Sequence, residues 1–183
     1  MPPPRPSPSA LRVSDLSPGG KNSFSLRPDG PAMDAIARAL DISGLRKLSF
    51  EGAITPLGQS DWQVSARLGA TVTQPCVVTL EPVTTRIDTE VTRQFIANYI
   101  EPAEAEVEMP EDDTTEPLGT WIDPEAIMHE ALALNLPDYP RKDDAAMGQM
   151  VHAAPGMKPM TDEDAKPFAG LAGLKARLED GED

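Results

Sequence analysis

Thiols and imidazoles are nearly missing from this sequence. One cysteine, Cys76, and two histidines, His129 and His152, are all that 183 residues contain. A lone cysteine excludes an internal disulfide and a thiolate zinc cluster. It fits a soluble protein of a reducing compartment, so a cytoplasmic location is the expectation. Long apolar runs are missing as well. No stretch reaches the roughly 18 residues that a membrane helix needs, and Met1-Pro2-Pro3-Pro4-Arg5-Pro6 leads into no signal-peptide core. The glycine loop that cradles phosphates is absent, because Gly19-Gly20-Lys21 lacks both the earlier glycine and the following Ser or Thr. With aromatics at 4 % and apolar residues at 39 %, there is material for one modest core if part of the chain stays outside it.

Charge is what the chain has in excess, and it is unevenly placed. The net charge is −14, which argues against a polyanion partner, since phosphate affinity comes from Lys and Arg displacing counterions. By segment, residues 1–30 carry +2, residues 31–45 carry −1, and residues 46–99 balance at five against five. Residues 100–183 hold six basic and 21 acidic groups. The middle of the protein is neutral, and the acidity belongs to the C-terminal half.

Periodicity predicts an α+β fold, an antiparallel β-meander packed with about three helices. Residues 1–30, rich in Pro, Ser and Gly, are expected to be mostly disordered, with Leu11-Arg12-Val13 able at best to add an edge strand. A single domain is expected over 31–178, followed by an acidic tail, 179–183. Asp29 caps a first helix with Pro31 in its first turn, and Gly44 is its expected stop. Leu48, Phe50 and Ile54 then alternate, apart from Gly52. From Trp62 to Val72 every second residue is apolar, with Gln63, Ser65, Arg67, Gly69, Thr71 and Thr73 between them. Such a period-2 pattern describes a strand buried on one face and wet on the other. A third strand alternates from Val83 through Ile87 and Val91 to Phe95. Residues 101–117 carry eight carboxylates and no basic group, which reads as a solvated acidic linker. Asp123 and Pro124 open a second helix running to about Leu136. Phe168, Leu171, Leu174 and Leu178 form the stripe of a third, with Thr161 to Asp164 at its start.

Chemistry-bearing constellations are scarce, and no metal or cofactor is expected. His129 lies four residues from Glu125, a spacing typical of a surface helix pair. Cys76 could in principle form a thiol–imidazole pair with His129 or, less readily, with His152, and nothing in the sequence joins them. Arg67 and Arg86 fall on the wet face of the meander and are candidate contacts for RNA or a protein partner, although that face has no aromatic for base stacking. Glu104, Glu106, Glu108, Glu111, Asp112 and Asp113 are candidate docking residues for a basic partner. An interaction protein is favoured over an enzyme.

Three strings, in order, resemble one family. They are Thr71-Val72-Thr73-Gln74-Pro75-Cys76-Val77-Val78-Thr79-Leu80-Glu81-Pro82-Val83, then Ile122-Asp123 with the helix ending Leu134-Asn135-Leu136-Pro137, and finally Lys166-Pro167-Phe168-Ala169-Gly170-Leu171-Ala172-Gly173-Leu174. Together they resemble the YceD family, the large ribosomal RNA subunit accumulation proteins, over about residues 31–178. The resemblance implies a non-enzymatic ribosome-biogenesis factor. Its expected partner is a basic ribosomal protein or a large-subunit precursor, with ribosomal RNA engaged indirectly. Direct RNA binding by the sheet face is the alternative, and an enzyme using Cys76 and His129 is a second one. Many family members carry a Cys-x-x-Cys hairpin and a later cysteine. Here Thr79 stands at the second position and no cysteine follows, so a metal role is not carried over and Cys76 is expected to be a small buried side chain.

Overall fold

Alternation along the central strands sets the architecture seen in the computed structural model, which describes residues 6–99, 114–143 and 145. The elements described below belong to the first of two units, Met1–Lys142, the second being Asp143–Asp183. In chain order the elements are β1 (Leu11–Arg12), a 3-10 turn (Val13–Asp15), β2 (Asn22–Leu26), α1 (Gly30–Ala39), β3 (Gly44–Leu57) and β4 (Asp61–Pro75). They continue with β5 (Pro82–Ile96), β6 (Thr115–Pro117), β7 (Trp121–Ile122) and α2 (Pro124–Leu134). The main sheet has the order β2-β3-β4-β5-β6, and β1 pairs with β7 in a two-stranded sheet.

The meander is present as the alternation predicts. β3 pairs with β4, and β4 with β5, both antiparallel over nearly their whole lengths. Trp62, Val64, Ala66, Leu68, Ala70 and Val72 are all buried, and Phe50, Ile54, Ile87, Val91 and Phe95 join them. Ile36 and Ala37 of α1 and Ile127, Met128, Ala131 and Leu132 of α2 complete the same apolar cluster. Both helices therefore lie on this face. Each fully buried aliphatic side chain contributes about 1.5–3 kcal/mol, so the cluster is the principal source of stability.

Helix starts follow their caps. The Asp29 carboxylate accepts from the Ala32 N–H at 2.9 Å, and that of Asp123 accepts from Glu125 at 3.0 Å. α1 ends at Ala39 rather than near Gly44, which already opens β3. α2 ends at Leu134, with Asn135 as its C-cap. The third helix expected around Phe168 to Leu178 lies outside the described residues.

Two expectations are corrected. Residues 6–30 are not outside the fold. Asn22–Leu26 forms β2 against β3, Leu11 pairs with Ile122, and Leu16 and Ala10 are buried. The Ser7 hydroxyl donates to Asp123 at 2.7 Å and that of Ser9 to Glu125 at 3.1 Å, tying the segment to the start of α2. A segment too polar for its own core is ordered here by edges and caps that others supply. Similarly, the acidic stretch does not stay a loop to residue 117: Thr115–Pro117 is β6, parallel to β5.

Gly52 explains the gap in the alternation of β3. A Cβ there would fall 2.5 Å from the Ala66 Cβ and would clash with the Ser65 carbonyl oxygen, so the strands approach closely only because this side chain is missing. Gly52→Ala is expected to destabilise the fold by about 1–3 kcal/mol, read as a lower urea midpoint with an unchanged slope.

Candidate partner-binding face

The odd-numbered side of β4 points away from both helices. Arg67 stands between Glu51 on β3 and Glu90 on β5, and Thr71 stands opposite Arg86. Both arginines are exposed, where the alternation places them. Among the described residues no helix covers this face. It also lacks an aromatic ring: Ser25, Ser49, Ser65, Thr71 and Thr92 separate its charges.

Two cations on this face are held by carboxylates. Arg86 donates through Nε and Nη2 to the two Asp88 oxygens at 2.8 and 2.7 Å, and through Nη1 to the Thr71 hydroxyl at 3.4 Å. The Asp88 hydrogen bonds raise the Arg86 pKa, and the same bonds hold the Asp88 carboxyl below its usual range. Arg27, just past β2, donates to Glu51 at 2.9 and 2.6 Å, which lowers the Glu51 pKa. Exposed pairs of this kind add little stability, but a two-point contact fixes where a guanidinium points. Gly69 contributes space. A Cβ on it would come within 2.6 Å of Arg86 Nη2, so the guanidinium lies over a bare stretch of backbone.

Lys47 joins them through an irregularity that the alternation did not reveal. Leu45 and Leu48 are both buried, yet their odd spacing cannot serve one face of a regular strand. The register shifts between Arg46 and Ser49, and Lys47 takes a left-handed backbone with φ of 53°, a conformation strained for a residue with a Cβ. The result is a concavity of about 550 Å³ lined by Arg27, Lys47, Leu48, Ser49, Thr71 and Arg86. Of these, only Arg86 was singled out from the sequence. The Leu45–Leu48 spacing was the available signal for Lys47. Arg27 had none, since its approach to β3 depends on the pairing of β2.

Arg93 is spent differently. It projects from the helix side of β5, its side chain is 11 % exposed, and it bridges Glu130 of α2 at 2.6 Å and Glu116 of β6 at 3.5 Å. Burial, with repulsion from Glu130, raises the Glu116 pKa against the pull of Arg93. This triad fastens α2 and β6 to the sheet.

Cys76 and His129 have separate surroundings. Cys76 is buried in the β4–β5 connection, whose turn is closed by Cys76 N–H to the Glu81 carbonyl at 2.7 Å and Leu80 N–H to the Cys76 carbonyl at 2.9 Å. The Thr79 hydroxyl, then the backbone N–H groups of Lys142, Thr79 and Val78, donate to the sulfur and draw its pKa from the ordinary 9.0 down to about 6. His129 instead borders an apolar groove with Ala35, Ile36, Ala39 and Leu40 of α1. The two are not assembled into a dyad. Among the described residues no three His, Cys, Asp or Glu side chains are placed to hold a metal ion. No described helix is long and apolar enough to cross a membrane. The candidate docking residues Glu104, Glu106, Glu108, Glu111, Asp112 and Asp113 lie outside the described residues.

What the described residues offer, then, is a surface: a twisted sheet with one face packed and one face open, charged and polar. That class of protein acquires a more specific identity from its sequence relatives. The family model described as "Large ribosomal RNA subunit accumulation protein YceD" matches residues 64–175, more than half of the chain, and the chain belongs to this family. The match begins inside β4 and takes in all three strings quoted above. No curated protein and no solved structure matches the chain.

The Cys76 cradle can be checked by following thiolate absorbance against pH in the native protein. The expected midpoint is about 6, rising in Thr79→Val, which removes the strongest donor. The folded pKa lies below the unfolded one, so the thiolate's contribution to stability is full above about pH 8.5. It is lost as pH falls through the native midpoint. A native midpoint above 8 counts against the cradle.

Proposed function

We propose that this protein is a non-enzymatic assembly factor. It supports accumulation of the large-subunit ribosomal RNA by docking to a basic ribosomal protein or to a precursor of the large subunit. The family supplies the process, and charge segregation is the observation that carries the mechanism. Residues 100–183 bear 21 acidic against six basic groups, while Arg27, Lys47, Arg67 and Arg86 stand on the open sheet face. A chain divided in this way attracts cationic and anionic partners through different segments of its sequence.

Free ribosomal proteins are strongly basic. The run containing Glu104, Glu106, Glu108, Glu111, Asp112 and Asp113 supplies the attraction, with the fast, salt-sensitive association that a dense run of one charge sign produces. The open sheet face, with Arg67 and Arg86, is left to meet RNA in the same particle. Direct RNA binding by that face is the second reading, favoured by the convergence of cations around Arg86.

Affinity capture from lysate with the tagged chain separates these readings. Ribosomal proteins or large-subunit precursors are expected in the eluate at low salt and are expected to fall away as salt rises. Replacing the six named carboxylates by their amides should cut that recovery several-fold while leaving the thermal melt unchanged. Recovery of no ribosomal component at low salt overturns the proposal.

A further inference from the structure

The concavity at the β3 irregularity combines features that a merely soluble surface does not need. Three cations from three different strand regions, Arg27, Lys47 and Arg86, border one depression together with the Ser49 and Thr71 hydroxyls. Lys47 reaches it only because the backbone accepts a left-handed residue that is not glycine. Strain of this kind persists where the surroundings hold it in place, and it clusters at sites of function. Arg86 is held by Asp88 through one edge of its guanidinium, leaving Nη1 on the side of Thr71, which lines the depression. Gly69 keeps the space beneath Arg86 clear. Arg46 and Arg67 flank the same face, so its cations outnumber Glu51, Asp88 and Glu90.

We propose that this depression seats the phosphate backbone of a helical RNA segment. The inference rests on the reading that the open face meets ribosomal RNA, and it names the part of RNA that is met. Arg, Lys and hydroxyl side chains are the usual donors to phosphate and sugar oxygens, which position a protein without reading sequence. Single-stranded RNA is recognised chiefly by stacking its bases on aromatic rings, and the depression has none. A double-stranded segment, with its regular phosphates and 2′-hydroxyls and no splayed bases, suits a polar, cationic and shallow surface. At contact distance salt screens least, so the cations that border the depression govern the contact.

The test is fluorescence anisotropy with the full chain and a labelled 16-base-pair RNA duplex, titrated between 50 and 200 mM salt. Wild-type binding should be salt-dependent and stronger for the duplex than for a single strand of equal length. Lys47→Gly removes the charge and suits the left-handed backbone, so its melting temperature should match or exceed wild type. Each of Lys47→Gly and Arg86→Gln should weaken duplex binding by about 3–10-fold and flatten the salt slope by about one unit. Arg38→Gln, at an exposed position of α1 that does not line the depression, should bind like wild type.

Absence of duplex binding by wild type at 50 mM salt overturns the site. So does a Lys47→Gly, Arg86→Gln double variant that binds as wild type does, or displacement of the duplex by a polyglutamate peptide at equal charge concentration, which would make this an acidic-peptide site. Capture of large-subunit precursors by the double variant is read separately. If capture persists while duplex binding is unaffected by the substitutions, the site falls and the assembly reading stands. If wild type captures no precursor, the assembly reading falls on its own.

Discussion

One constraint organises the molecule: β4 is long, central and hydrogen-bonded on both edges, so its side chains have only two directions available. Burying Trp62 through Val72 on one side obliges Gln63 through Thr73 to face the other way. A one-residue slip would bury Arg67 and expose Leu68. The apolar pattern therefore does more than form a core. It also sorts the polar residues of three strands into a single open face, with Glu51, Arg67 and Glu90 in one row and Thr71 and Arg86 in the next.

The arginines show how position within this frame decides role. Arg93 occupies the packed side of β5, where an unpaired cation would be costly, and Glu130 and Glu116 surround it. Its charge is consumed in fastening α2 and β6. Arg67 and Arg86 occupy the other side, where water screens them and pairing adds little stability. Asp88 orients Arg86 without enclosing it, which keeps donors available to something else. Charge counting along the sequence treats these residues as equivalent, and the sheet does not.

Much of this was legible because the central strands are long and regular. The period-2 pattern predicted β3, β4 and β5 and the outward direction of Arg67 and Arg86, and the Asp29 and Asp123 caps predicted both helix starts. What stayed hidden depended on pairing between distant segments. Asn22–Leu26 is short and lies among Pro, Ser and Gly, so only the exposed edge of β3 makes it a strand. Thr115–Pro117 has no strand signature of its own and is a strand because β5 offers it an edge. Lys47 is an intermediate case. The odd spacing of Leu45 and Leu48 records a bulge, although nothing in the sequence says which residue would absorb it or that Arg27 would lie nearby.

The β4–β5 connection shows the same logic applied to chemistry. Cys76 has no second thiol nearby, Thr79 standing three residues on, and the turn keeps its form through backbone hydrogen bonds between Cys76 and Glu81 and between Leu80 and Cys76. The Thr79 hydroxyl, then the N–H groups of Lys142, Thr79 and Val78, pull the Cys76 thiol pKa down. Val77 N–H donates to the Pro140 carbonyl at 2.9 Å, and Lys142 pairs with Glu81 at 2.8 Å. The segment after α2 is thereby laced to the hairpin. Thr79 exerts the strongest of the pulls that lower the thiol's pKa. Cys76 is thus enclosed by the hairpin and the segment after α2, whereas Arg67 and Arg86 stay on the open face.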